Sequence, residues 1–164
     1  FILPKINNQL QREKLLPLVE KIRSLTPDVQ IQARIAISLV QNIPYGFPTV
    51  DGSEVDYTKK YPYGVIWERK GICDEKSDLL LFLLKELGFG SAALRYKKDF
   101  HRAVGIKCPD EYDVDNSGYC YVEVTTPRII TDNMSGSESA MALTDPEIIK
   151  ISDGIQIEGV EAEF

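Results

Sequence analysis

One histidine, His101, serves the whole 164-residue chain, so any mechanism that needs an imidazole must use that position. Tryptophan is as scarce, with Trp67 alone. The three cysteines, Cys73, Cys108 and Cys120, form no CxxC pair and no His-rich tract accompanies them, so a structural zinc site is not expected. No apolar run exceeds the six residues Leu79–Leu84, far short of the roughly 20 that cross a bilayer as a helix, and no membrane span is expected within this chain. Positive charge is short as well. A net charge of −6 without a basic stripe argues against nucleic acid or an anionic membrane as partner. There is no internal repeat and no low-complexity tract. The chain opens on Phe1, with no initiator Met and no signal-peptide pattern, and reads as a processed or excised piece. The remaining composition is that of an ordinary globular protein, long enough for one domain with a sizeable core.

The most informative stretch is Gly71-Ile72-Cys73-Asp74-Glu75-Lys76-Ser77 with the apolar run behind it, closed by Leu87-Gly88. It reads as a buried helix stopped by a glycine. Cys73 falls at the helix start, where the positive end of the helix dipole favours thiolate. Twenty-eight residues on, His101 opens an alternating stretch to Lys107 that reads as a strand. A second alternating stretch runs from Tyr119 to Thr125 and carries Glu123. A cysteine at a helix start, a histidine on one strand and a carboxylate on the next is the layout of a nucleophile with its base and orienting group. Each member also has a bland reading: an inert core thiol, a structural histidine and a solvated strand carboxylate.

Upstream, Gln9 to Leu25 has helical apolar spacing, with Pro17 either in the first turn of a helix that begins near Leu16 or kinking a longer one. Val29 to Asn42 reads as a second helix, with Ile31, Ile35, Ala36, Leu39 and Val40 as its apolar face, Asp28 as its cap and Pro44 as its stop. Pro44 to Tyr63 is a long irregular segment with four tyrosines, Tyr45, Tyr57, Tyr61 and Tyr63. It is either an ordered rim of a substrate groove or a surface loop anchored by aromatics. After Gly88, Ala92 to Lys97 reads as a strand, Lys98-Asp99 as a turn, Ser135 to Ser139 as a small-residue loop, and Ile149–Ile151 and Ile155–Ile157 as short strands. Helices followed by strands indicate an α+β domain.

Strand parity places His101, Ala103 and Gly105 on one face and Val104, Ile106 and Cys108 on the other. Tyr119, Tyr121, Glu123 and Thr125 share a face in the same way. A hairpin of the two strands therefore holds His101 and Glu123 together. The small Ala103 and Gly105 are expected to let a helix approach that face, leaving the apolar face to pack elsewhere.

In order and spacing, Tyr61-Pro62, Gly71-Ile72-Cys73-Asp74, His101-Arg102-Ala103-Val104-Gly105 and Tyr121-Val122-Glu123-Val124-Thr125-Thr126-Pro127 resemble the transglutaminase-like superfamily, in particular its microbial cysteine protease branch. The helix ending Val40-Gln41-Asn42-Ile43-Pro44-Tyr45 is similar to that branch too, and the likeness runs from Ile31 to Pro127. The resemblance implies a papain-like fold, with N-terminal helices and the nucleophile at a helix start packed on an antiparallel sheet. It also implies a Cys-His-acid triad of Cys73, His101 and Glu123, with Glu123 standing where Asp is more usual and Ile72 where an Asp is common. One domain over residues 1–164 is expected, with its core at about 29–127 and residues 128–164 completing or wrapping it.

The chemistry that follows is acyl transfer from an amide through a thioester. The acceptor is water in a peptidase or amidase and an amine in a transamidase; a non-catalytic binding or scaffold module is the alternative. Protein or peptide is the expected substrate. The oxyanion would meet the Cys73 N–H and one side-chain donor, for which Asn42, Tyr45 and Trp67 are candidates. No cofactor is required. Asp113, Asp115 and Ser117 match the start of a calcium loop, but Val124 stands where its closing Glu belongs, so a solvated hairpin loop is the competing reading. Cys108 and Cys120 flank that loop with eleven residues between them, and either bond to each other or remain as two buried thiols. A bond implies an oxidising, extracytoplasmic compartment. Oligomeric state stays open.

Overall fold

The structure, a computed structural model, describes residues 2–46, 49–50, 53–54, 59–132 and 143–160. Tyr57 and the Ser135–Ser139 loop lie outside the described residues. Among the described residues, five helices precede the main sheet: α1 Ile2–Ile6, α2 Gln9–Leu25, α3 Val29–Gln41, α4 Pro62–Glu68 and α5 Cys73–Glu86. The small hairpin β1 Thr49–Val50 and β2 Ser53–Glu54 lies between α3 and α4. The sheet strands are β3 Ser91–Tyr96, β4 His101–Lys107, β5 Tyr119–Val122 and β6 Glu147–Ser152.

The apolar run of α5 has no polar face, so the helix must be enclosed. Leu79, Leu80, Leu81, Phe82, Leu83 and Leu84 are all fully buried, with α1, α3 and α4 against the helix on one side and β3 and β4 on the other. Each such side chain contributes about 1.5–3 kcal/mol by leaving water. The α5 run is thus the centre of the core. α2 runs unbroken through Pro17, with Asn8 as its cap accepting from Gln11 N–H at 3.1 Å, so the helix does not begin near Leu16. The inward face of α3 differs from the expected one. Ala33, Ala36, Ile37 and Val40 are buried, whereas Ile31 is 46% exposed. Ala33 and Ala36 belong to the same core cluster as the leucines of α5. The long segment after Pro44 also ends sooner than expected, in α4, which Pro62 starts at its first turn.

The sheet order is β5-β4-β3-β6, antiparallel throughout. β6 comes from the C-terminal part of the chain and pairs with β3. β5 pairs Val122 with Val104 and Tyr119 with Lys107. Continued to the strand end, this register sets His101 opposite Thr125 and diagonal to Glu123. Val104, Ile106, Cys108, Cys120 and Val122 join the core around α5, so the helix packs on the apolar face and not on the face of His101, Ala103 and Gly105. Space explains the difference. A Cβ at Gly105 would lie 2.9 Å from Tyr119 Cβ and 3.2 Å from Leu94 Cδ2, so strand side chains fill the room a helix would need. That second face carries its own small core of Leu94, Tyr96, Ala103, Val114, Tyr121 and Leu143.

Cys108 and Cys120 form a disulfide, Cα–Cα 5.7 Å, across the two-residue offset of the diagonal register, and Cys73 is the free cysteine. Unfolding without reductant should therefore expose one alkylatable thiol, counted by mass spectrometry. Reduction should lower stability in urea by about 3 kcal/mol, since the bond closes a short loop. Three alkylated thiols would refute the bond.

Candidate active site

Cys73 is the first residue of α5. The first N–H groups of a helix have no partner within it. Here the buried Glu75 carboxylate binds back, accepting from Ile72 N–H at 3.1 Å and from Lys60 N–H at 2.7 Å. Gly71 N–H donates to Pro44 O at 3.2 Å and Gly46 N–H to Gly71 O at 3.3 Å, fastening the residues around Tyr45 alongside the chain that enters α5. Space is tight at Gly71, where a Cβ would meet Val65, Lys76 and Glu75 side chains at 3.2 to 3.4 Å.

His101 lies between Cys73, whose proximity raises the imidazole pKa, and Glu123, to which it hydrogen-bonds. Nε2 lies 3.1 Å from Glu123 Oε2, so Nδ1 is the ring nitrogen that the carboxylate does not use. Glu123, just beyond the end of β5, is buried and accepts from five donors. Tyr121 OH donates to Oε2 at 2.5 Å, while Oε1 takes Val124 N–H and Thr125 N–H at 2.8 Å each and Thr125 Oγ1 at 2.7 Å. Burial alone would raise the Glu123 pKa, but the His101 hydrogen bond and charge, then Tyr121 and Thr125, hold it well below the usual carboxylate range. Burial likewise disfavours the imidazolium, yet the hydrogen bonds to Cys73 and Glu123 and their charges raise His101 from 6.5 to about 9. Tyr96 stacks on the imidazole with ring centroids 6.4 Å apart.

Two polar knots hold this arrangement, and neither was anticipated from the sequence. The Lys76 ammonium is fully buried and donates to Ile43 O at 2.5 Å, Gln41 O at 3.3 Å and Thr125 O at 3.5 Å. Burial depresses its pKa to about 8, against the pull of Glu123. Gln41 Nε2 donates to Glu123 O at 3.0 Å and Arg128 O at 2.9 Å. On the other flank, buried Arg102 donates to Asp78 Oδ1 at 2.7 Å and to Asp74 O, and Ser77 Oγ donates to Arg102 O at 3.2 Å. Lysine at 76 was a readable signal, since it is the one cation within a stretch that is otherwise entirely interior. Tyr121 and Thr125 were signalled by sharing the parity face of Glu123.

Among the oxyanion candidates, Tyr45 lies near Cys73, whose charge, after burial, raises the tyrosine pKa. Asn42 spends its amide on Ser38 O at 2.8 Å, closing α3. Trp67 is 74% exposed and stacks on Tyr63 in a surface hollow shared with Lys14 and Gly64. Of the other tyrosines in the long segment, Tyr61 sits under the Lys5 ammonium and Tyr63 under that of Lys14, so both face the N-terminal helices.

Two solved structures match this fold. They are LapG of Legionella pneumophila in calcium-bound form, with TM-score 0.52, 17% identity, 89% of this chain and 83% of that chain covered, and LapG of the same organism, with TM-score 0.47, 19% identity, and 73% and 67% covered. The fold is transglutaminase-like and papain-like. No protein-family model matches the chain, and no curated protein matches it by sequence.

Calcium in one of these structures invites a test of this chain's own residues. Asp113 accepts from Gly118 N–H and Ser117 Oγ bonds within the same turn, where Asp115 has a positive φ of 54°. Among the described residues, no three His, Cys, Asp or Glu side chains gather in a way that could hold a metal. No step below passes through a calcium ion.

Because His101 is the only histidine, its titration can be read by NMR without assignment ambiguity. It should titrate near 9 and fall toward 6.5 in Glu123→Gln. A folded pKa above the unfolded one means the imidazolium adds stability that is complete below about 6.5 and lost as pH rises through about 9. An imidazole that titrates at 6.5 in the native protein would contradict the geometry.

Proposed function

We propose that the protein is a cysteine-nucleophile acyl-transfer enzyme acting on amide bonds of protein or peptide substrates, a peptidase or amidase working through a thioester. The His101–Glu123 hydrogen bond, with Cys73 close enough to raise the imidazole pKa, carries this reading. His101 takes the Cys73 proton, and the thiolate adds to the amide carbon. The oxyanion is met by the Cys73 N–H at the start of α5 and by the Tyr45 hydroxyl. Collapse of the intermediate breaks the C–N bond as the imidazolium gives its proton to the departing amine. Water, deprotonated by His101, then attacks the thioester; an amine in its place makes the protein a transamidase. Glu123 stays ionised throughout, holds the imidazole in orientation and stabilises the imidazolium whenever it forms. Its five donors support a negative carboxylate, which an imidazolium needs and a neutral core histidine does not. A scaffold without chemistry would have no use for that charge in a buried place.

The Cys108–Cys120 disulfide is compatible with an oxidising compartment, and we place the protein outside the cytoplasm on that ground. No helix among the described residues is long and apolar enough to cross a membrane.

Turnover of amide substrates should vanish in Cys73→Ala and should fall as pH rises through about 9, where the imidazolium that protonates the leaving amine is lost. Glu123→Gln should move that alkaline limb toward 6.5 and reduce kcat by about 10²–10⁴-fold. Tyr45→Phe should reduce kcat by about 10²-fold with little change in KM. An alkylation-competent Cys73 whose removal leaves amide turnover intact would end this reading.

A further inference from the structure

Beside His101 lies a cleft of about 280 Å³ lined by Lys59, Asp74, Arg95, Tyr96, Lys97, Phe100 and His101. Phe100 stands at the tip of the β3–β4 hairpin, 95% exposed, with a φ of 50°. That left-handed position is one where glycine or asparagine is cheaper, and the ring gains nothing from the core. Phe100 therefore presents an uncovered apolar ring to solvent beside the cleft. Three cations, Lys59, Arg95 and Lys97, line the cleft. Lys59 pairs with Asp74, and Glu147 lies 3.5 Å from Arg95 and 3.2 Å from Lys97, so two carboxylates offset part of the positive charge. Asp115, Glu123 and Asp99 also act on Tyr96, so the positive charge of the cleft is local to Arg95, Lys97 and protonated His101. The Tyr96 hydroxyl is buried and has no hydrogen-bond partner among the described residues.

Position supplies the rest. The imidazolium must reach the departing amine nitrogen, so the amine side of the substrate lies on the His101 side of the thiol, away from Tyr45. Building on the acyl-transfer reading above, we propose that this cleft is the subsite for the amine side of the substrate and takes a residue with an apolar stem and a terminal carboxylate. Phe100 covers the stem, and Arg95 and Lys97 meet the carboxylate. Glutamate and aspartate side chains have that form.

Alkylation of Cys73 reads the cleft whether or not a turnover substrate is in hand. The test is the ratio of its second-order rates with iodoacetate, an anion, and iodoacetamide, its neutral isostere. The ratio should fall about fivefold in the Arg95→Gln/Lys97→Gln double variant and fall similarly in 0.5 M salt. It should rise in Glu147→Gln, which frees both cations. Both cations are more than half exposed, so the substitutions leave the core alone. A tetrapeptide amide Ala-Ala-Glu-Ala should also protect Cys73 from iodoacetamide at lower concentration than Ala-Ala-Gln-Ala, and this preference should disappear in the double variant. A ratio indifferent to these substitutions, or equal protection by the two peptides, overturns the subsite. That outcome is distinct from a Cys73 that reacts no faster than a free thiol with either reagent, which overturns the acyl-transfer reading instead.

Discussion

A buried carboxylate is expensive to keep charged, and Glu123 is kept charged by a backbone that folds back over it. Oε1 is taken by the Val124 and Thr125 N–H groups and the Thr125 hydroxyl, all within two residues of Glu123 itself. For those N–H groups to point there, the chain must leave the sheet, and β5 does end at Val122. Oε2 is thereby left for Tyr121 and His101. The same turn that terminates the strand thus settles which oxygen meets the imidazole. The imidazole's high pKa follows from Cys73 beside it and from a partner, Glu123, that cannot easily take up its proton.

The two polar knots extend that constraint to the nucleophile. Lys76 belongs to the helix that Cys73 starts, yet its ammonium is bound by carbonyls of Gln41, Ile43 and Thr125. These carbonyls come from the end of α3, from the residues just before Tyr45, and from the turn that wraps Glu123. Removing any one would leave part of a buried cation unsolvated, a penalty that strongly disfavours relative movement of the three segments. Arg102 does the same between the second residue of β4 and the first turns of α5. Asp78, one of its partners, has its pKa raised to about 6 by burial, against the pull of Arg102 and Lys5. Its ionisation therefore depends on those cations staying in place.

Much of this was legible in the residues. The α5 core, β3, β4, the α+β order and the pairing of His101 with Glu123 follow from apolar runs and from alternation, which report one-dimensional periodicities. What was not legible depends on the third dimension. Parity separates the two faces of the β4–β5 hairpin without saying which one faces a helix, and the choice rests on Tyr119 and Leu94 filling the space over Gly105. The face of α3 turned on Ala33, Ala36, Ile37 and Val40, whose small or aliphatic side chains share the core while Ile31 stays 46% exposed. α4 was hidden because seven residues opened by a proline carry too short a pattern to show helical period. Asn42 and Trp67 were chosen by residue type as oxyanion donors, and residue type cannot reveal that one amide is spent on Ser38 or that the other ring lies against Tyr63.

The three candidate catalytic side chains share a positional property that explains how a helix on one sheet face can serve a pair on the other. Cys73 is the first residue of α5, His101 is the first residue of β4, and Glu123 is the first residue after β5. A thiol in the middle of α5 would meet only Val104, Ile106 and their neighbours, because those side chains point to the helix while His101 points away. At the strand ends the sheet stops and no longer separates its two faces, so a helix terminus can reach round to the imidazole. The ladder loses no hydrogen bond in the process, and the free N–H groups of the helix start are presented at the place where an oxyanion would form. Clustering at element ends is thus a geometric requirement of placing α5 on the apolar face, and the same requirement puts the Phe100 hairpin tip at the mouth of the site.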